Sequence, residues 1–254
     1  MHTLSTLAQA PMSPSLGGIG GLGLMLLFIV PPMLLGLYAQ WKVRSAFNAA
    51  KQVRAVSGMT GAEVAREIMK AHNIANVGVE ESHGFLSDHY DPKAKMLRLS
   101  HDVYNGHSVA ALGIAAHEAG HALQDAQGYA PLALRSAVVP AAQVGGVAAN
   151  IALMGGVLVM AFIGPKLGAP LLIIGILGLC CVALFQLITL PVEFDASRRA
   201  KDLLTTTGLV APGEETRQMS GVLNAAALTY IAALVSTIGT ILYYLLILFT
   251  SRRD

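Results

Sequence analysis

The sequence predicts an α-helical membrane protein with about four transmembrane helices. Of its 254 residues, 54% are hydrophobic and only 13% are charged, a composition outside the range of soluble globular domains. The hydrophobic residues are concentrated in long blocks, and each block is long enough to cross a bilayer as a helix. The Lys and Arg residues lie mainly between these blocks, as the loops of a membrane protein require.

The apolar blocks divide the chain into six segments. The predicted segments are an extracytoplasmic N-terminus (1–16), a transmembrane span (17–40), a polar region (41–136), two further spans (137–190), a second polar region (191–224), and a last span with a short tail (225–254). Pro31 and Pro32 lie inside the first span and are expected to kink or break its helix.

The distribution of basic residues predicts the orientation. Ten of the 17 Lys and Arg residues fall in 41–136 and four in 191–224. Because cytoplasmic loops carry the excess of basic residues, both regions are expected in the cytoplasm and both termini outside. We therefore expect a multi-pass membrane protein, with the lipid bilayer as a partner. Nucleic acid is not an expected partner, since the basic residues follow the topology and form no patch with aromatic residues.

The first polar region predicts a short helix and a small β-hairpin. Thr60 and Glu63 form a capping box at the start of an amphipathic helix. Residues 77–79 and 96–99 alternate in polarity and are separated by turn residues, which predicts a hairpin or two-stranded ribbon. Its edge strand could bind an extended peptide as an added β-strand, or the ribbon could be purely structural.

The pentapeptide His117-Glu-Ala-Gly-His121 predicts a metal site on a helix. Residues four apart lie on one helical face, so the two imidazoles can bind one Zn²⁺ ion. Glu118 lies beside them and can reach a water molecule without being a ligand. The preceding residues are small or apolar, which indicates a buried helix whose polar residues need partners. The alternative is a pair of core or surface histidines without a metal.

Glu193 is the predicted third ligand. It lies in the second polar region, on the same side as the two histidines, where the third span leaves the membrane. Two histidines, one glutamate and an open fourth position form a gluzincin-like catalytic site for one Zn²⁺ per chain. Glu214 and Glu215 are on the same side but follow a Pro-Gly loop, which is a poor platform for a rigid ligand.

These residues predict a membrane-bound zinc endopeptidase that cleaves membrane-associated or misfolded proteins, with Glu118 as general base. The developing oxyanion also needs a donor. Tyr230 is the predicted catalytic residue for that role, with Arg198 and His101 as the other candidates.

Two other functions are consistent with the sequence. One is a non-proteolytic membrane scaffold that contains zinc, although a structural site has no use for the base that Glu118 provides. The other is a zinc hydrolase that acts on lipid or amide substrates at the bilayer surface.

The chain also resembles the YugP-type family of bacterial membrane zinc metallopeptidases, the neutral zinc metallopeptidase group. The motifs that carry the resemblance are Leu86-Ser-Asp-His-Tyr-Asp-Pro92, Leu97-Arg-Leu-Ser100, the run HEAGHALQ at 117–124, Pro191-Val-Glu-Phe-Asp-Ala-Ser-Arg-Arg-Ala200, and residues 223–231. This resemblance implies peptidase activity and a location in the bacterial inner membrane. The chain is more distantly similar to HtpX-type and CAAX prenyl-protein proteases, in which an Asp stands at the position of Ser197 and orients a ligand.

Overall fold

A computed structural model of the protein describes residues 19–84 and 87–250. The predicted extracytoplasmic segment 1–16, the first two residues of the first predicted span and the tail after residue 250 lie outside the described residues.

The described chain is mainly helical. Its helices are α1 (Ile19–Phe28), α2 (Val30–Lys51), α3 (Gly61–Ala71), α4 (His101–Tyr104), α5 (Val109–Ala126), α6 (Ala130–Phe162), α7 (Pro165–Thr206) and α8 (Glu214–Thr250). Its strands are β1 (Gly78–Ser82), β2 (His89–Asp91) and β3 (Met96–Ser100). The predicted capping box is present at the start of α3, where the Thr60 side chain accepts from the Glu63 amide and the Glu63 carboxylate accepts from the Thr60 amide.

Among residues 19–84 and 87–250, four helical segments are long and apolar enough to cross a membrane, as predicted. They are Leu22–Lys51, Ala130–Phe162, Pro165–Thr206 and Glu214–Thr250. Large apolar side chains on these segments are exposed, among them Phe162 and Val144, as expected for surfaces that face lipid. The first helix is interrupted at Ile29, so that Pro31 and Pro32 fall in the first turn of α2, where a missing amide proton costs nothing.

The helices extend beyond the predicted spans. α2 continues past residue 40 to Lys51, and α7 continues without a break from the third span through Pro191 to Thr206. Hydropathy detects only the apolar part of such a helix, because the polar turns beyond the membrane satisfy their backbone hydrogen bonds equally well. Residue 193 therefore lies on the same rigid helix as the third span.

The sheet corrects the predicted hairpin. It has three strands in the order β1-β3-β2. The two predicted strands do pair, but in parallel, with Val79 opposite Leu97. The hairpin is formed by β2 and β3, which are antiparallel. A three-residue strand such as β2 is too short for its alternation to be recognised in the sequence.

The helix with the HExxH pattern lies in the protein core. Most of α5 is buried, and it packs against α7 and α8. Gly120 permits the closest approach, since a Cβ atom there would lie 2.9 Å from the carbonyl oxygen of Ala196 on α7. This contact brings α7 against the histidine-bearing turn of α5.

Glycines also set the packing of α6 against α7. The two helices are antiparallel, with contacts that run from Gly146 and Val182 to Met160 and Gly168. A Cβ atom at Gly168 would lie 2.6 Å from the backbone nitrogen of Met160, and backbone cannot move aside as a flexible side chain would. Small residues at such contacts let membrane helices approach closely.

We expect Gly168→Ala to destabilise the protein by roughly 1–3 kcal/mol, the usual cost of overpacking. Unfolding in detergent micelles, followed by circular dichroism, measures the change. The matched control is Gly155→Ala on α6, where an added Cβ meets no atom within 4 Å. Equal stability of the two variants would show that α6 and α7 can move apart to accept the added methyl group without loss of stability.

Candidate metal centre

The central turns of α5 present three polar side chains in an otherwise apolar core. The helix begins at Ser108, whose hydroxyl oxygen accepts a hydrogen bond from the Ala111 amide. Glu118 and His121 are buried, and His117 is partly buried. The rings of His117 and His121 lie edge to face with centroids 4.8 Å apart, so the predicted one-faced arrangement of the two imidazoles is present.

Glu193 of α7 meets both imidazoles. Its Oε2 atom lies 3.2 Å from His117 Nε2 and 3.7 Å from His121 Nε2. The Glu193 side chain is only 2% exposed. The ligand-type atoms of the three residues all lie within 4.8 Å of one another. The structure thus brings together His117 and Glu193, which are 76 positions apart in the sequence.

This donor set fits a zinc ion. Imidazole nitrogen and carboxylate oxygen bind Zn²⁺ at about 2.0–2.2 Å, so two ligands of one tetrahedral ion are roughly 3.3 Å apart. The separations from Glu193 Oε2 to the two Nε2 atoms lie close to that value. In addition, a carboxylate as deeply buried as Glu193 needs compensating positive charge, to which a divalent cation held by these residues would contribute.

Arg135 provides a second partner for Glu193. Its Nη1 atom lies 2.7 Å from Glu193 Oε1 in an ion pair, and the arginine side chain is only 25% exposed. The arginine therefore occupies one carboxylate oxygen and leaves the other facing the histidines. The sequence showed Arg135 only as one more basic residue at the edge of a span.

The Nδ1 atoms of both imidazoles also have polar partners. His121 Nδ1 lies 2.9 Å from Gln124 Oε1. The Gln124 amide nitrogen donates to the Val192 carbonyl oxygen and to Asp195 Oδ2, both at 2.9 Å. Both of these are acceptors, so the amide oxygen must face His121, and His121 Nδ1 must carry the proton. This tautomer leaves the Nε2 lone pair directed at the Glu193 side.

Ser197 contacts the Nδ1 atom of His117, as Gln124 contacts that of His121. Its hydroxyl oxygen lies 3.2 Å from His117 Nδ1. Ser197 thus contacts one of the candidate ligands through its hydroxyl group. Asp195, two residues after Glu193, accepts from Gln124 and is itself paired with Arg198 and Arg199.

Two cavities meet at this cluster. One has a volume of about 340 Å³ and lies among β2, α5 and the first turns of α6. The other, of about 370 Å³, lies among α2, α5 and α8. The residues that line both are Asp88, His117, Glu118, Glu193 and Tyr230. Together the cavities form a cleft beside the three candidate ligand residues, with Glu118 in its wall.

The three predicted oxyanion donors differ in whether they line the two cavities. Tyr230 lines both cavities. His101 lies away from them, pairs with Glu81 at 2.6 Å and has a side chain that is 76% exposed. Arg198 is largely exposed and pairs with Asp195. Of the three candidates, the structure brings only Tyr230 to the cleft.

Asp88 is a cleft residue to which the sequence assigned no role. Its Oδ1 atom accepts from the Ser100 amide at 2.7 Å, and both carboxylate oxygens lie 3.0 Å from the Ser100 hydroxyl. Burial raises the pKa of the Asp88 carboxyl, the bonds from Ser100 oppose that shift, and the charge of Glu118 adds to it. The only signal in the sequence was its place in the motif from Leu86 to Pro92.

The fold and this cluster define a helical membrane protein with a candidate metal site of two histidines and a glutamate. The chain belongs to the family described as "putative neutral zinc metallopeptidase", whose sequence model matches residues 25–249. It is 40% identical over 232 residues to the "putative membrane protease YugP" of Bacillus subtilis (strain 168), a match that covers 91% of this chain and 99% of that protein. No solved structure matches the chain. The family resemblance seen in the sequence motifs is confirmed.

Proposed function

We propose that the protein is a zinc-dependent endopeptidase of the bacterial inner membrane that cleaves membrane-associated or misfolded proteins. The observation that carries the proposal is the convergence of His117 Nε2, His121 Nε2 and Glu193 Oε2 in a cleft that Glu118 also lines. These three residues would hold one Zn²⁺ per chain. When bound, the ion supplies Lewis acidity, which polarises a carbonyl group and makes water a stronger acid.

Glu118 has the position and chemistry of the general base. Its carboxylate takes one proton from the attacking water as the oxygen bonds to the peptide carbonyl carbon. It then gives that proton to the amine nitrogen as the C–N bond breaks, which returns Glu118 to its starting state. A neighbouring pair of imidazoles cannot perform this transfer if their nitrogens are engaged as ligands and hydrogen-bond donors.

Tyr230 and β2 are placed to act on the substrate. The Tyr230 hydroxyl is the proposed donor to the carbonyl oxygen as negative charge develops there. β2 is an edge strand of the sheet, and its residues 89–91 line the first cavity. An extended peptide could therefore pair with β2 as an added strand while its backbone crosses the cleft.

The cleft lies where the polar regions meet the apolar spans. The first cavity is lined by Asp88 and Lys93 from the polar region, and also by Val139 and Pro140 of the second span. This supports cleavage close to the membrane surface. The concentration of Lys and Arg in 41–136 and 191–224 supports the cytoplasmic side, with both termini outside.

The test is hydrolysis by the detergent-purified protein, with zinc content measured on the same sample. We expect about one zinc ion per chain and cleavage at internal peptide bonds of an unfolded soluble protein or a membrane protein, with the products identified by mass spectrometry. Chelation should remove both the zinc and the cleavage, and added Zn²⁺ should restore both.

The alternatives give different results in the same assay. A scaffold would bind zinc and cleave neither protein substrate nor lipid nor small amides. A hydrolase of lipids or small amides would release products from those substrates and leave both proteins intact. Either result would contradict the endopeptidase.

A further inference from the structure

The cavity among α2, α5 and α8 has mainly apolar walls. We call it the apolar pocket. Its apolar lining residues are Val43, Phe47, Ile114, Val222, Leu223, Ala226 and Ala227. It is also lined by His117, Glu118 and Glu193, so it opens directly beside the groups proposed to act on the scissile bond. Its volume of about 370 Å³ is within the range of roughly 300–1,000 Å³ typical of ligand sites.

The α8 wall of the apolar pocket follows from helical spacing. Val222, Ala226 and Tyr230 are four residues apart and therefore lie on one face. Val222 and Leu223 are buried parts of the core, which makes that part of the wall rigid. Ala226, by contrast, is partly exposed and has a methyl group where a longer side chain would project into the pocket. The small side chain at position 226 therefore leaves space that a bound group can fill.

The two cavities differ in chemistry. The first is lined by the charged side chains of Asp91, Lys93 and Arg135. None of these three residues lines the apolar pocket. A peptide that crosses the cleft would thus place side chains on one side of the scissile bond among charges, and on the other side in an apolar recess.

We propose that the apolar pocket selects substrates with a large apolar residue, such as Leu, Met or Phe, next to the scissile bond. This inference rests on the proposed endopeptidase function and specifies its substrate class. Its physical basis is the removal of apolar surface from water. One methylene group in such a pocket changes kcat/KM by roughly 10–200-fold, so a Leu substrate should exceed its Ala counterpart by at least about tenfold.

The experiment compares pairs of otherwise identical peptides that carry Leu or Ala at the positions flanking the cleaved bond. The wild type should prefer Leu at one flanking position. Ala226→Leu should fill the pocket and reduce the Leu-to-Ala ratio of kcat/KM by about tenfold or more, while zinc content stays the same. Ala226→Val, a smaller change, should give an intermediate ratio and serves if the Leu variant does not fold.

The matched control is Ala233→Leu, the same substitution on the same helix at an exposed residue that does not line the pocket. It should keep the wild-type ratio. Hydrolysis by the wild type without a preference for Leu, or an unchanged ratio in a folded Ala226 variant, would overturn the role of the pocket and leave the endopeptidase intact. Absence of hydrolysis of every peptide by zinc-loaded wild type would instead overturn the proposed function, and the pocket's role with it.

Discussion

Replacement of Glu118 by Gln is expected to lower kcat for peptide hydrolysis by roughly 10²–10⁴-fold, the usual contribution of a general base, and to leave zinc content unchanged. The residue is only 8% exposed and lies in the middle of α5, so a substitution of the same shape preserves the local packing. Gln cannot accept the proton of the attacking water. The proposed zinc ligands His117, His121 and Glu193 are unchanged.

The measurement is kcat on a single peptide together with metal analysis of the same preparation. Glu67→Gln on α3 is the matched control, because it makes the same chemical change at an exposed residue. Full activity of the Glu118 variant would exclude Glu118 as the base. Joint loss of zinc and activity would instead mean that Glu118 helps to hold the metal.

The residues of the HExxH pattern could be predicted because their relation is local. Two histidines four apart lie on one face of any helix, and the apolar residues before them indicated that this helix is buried. Glu193 could be proposed by its side of the membrane and its place at the end of a span. The structure then added that α7 runs unbroken through Pro191, which makes the platform of Glu193 rigid.

The partners that fix these residues could not be predicted. Arg135 reaches Glu193 from the start of α6, and Gln124 reaches Val192 and Asp195 on α7. These contacts depend on how α5, α6 and α7 pack, and no periodicity within one segment encodes that packing. Gln124 lies in the quoted motif, yet the sequence does not show that its side chain is fully buried.

The sheet shows the same limit at the level of strands. Alternation located β3 almost in full, but it found only the first two residues of β1, whose burial does not alternate. It could not give their relative direction, which depends on the chain between them. That chain includes β2, whose Tyr90 packs into the core and donates to Asp125 at 2.5 Å. β2 is the strand that lies beside the cleft.

The three imidazole and amide contacts around Gln124 lead to the last prediction. Gln124→Leu is expected to weaken zinc binding by about 10–100-fold, the usual cost of losing a group that orients a metal ligand. The variant keeps approximate volume at a fully buried site but removes the acceptor for His121 Nδ1. Without that acceptor the ring can rotate or change tautomer, and its Nε2 lone pair is no longer held toward Glu193.

Competition with a chromophoric chelator measures zinc affinity without any activity assay. Gln127→Leu is the matched control, since it changes an exposed glutamine that binds Arg199 and no histidine. The Gln124 variant also loses the amide bonds to the Val192 carbonyl oxygen and to Asp195 Oδ2, each worth about 0.5–1.5 kcal/mol. Its affinity is therefore compared at a temperature where circular dichroism shows both variants folded. If folded Gln124→Leu binds zinc with wild-type affinity, no contact of Gln124 is needed for the metal. Glu193 and the close contact of Gly120 with α7 would then suffice to orient His121.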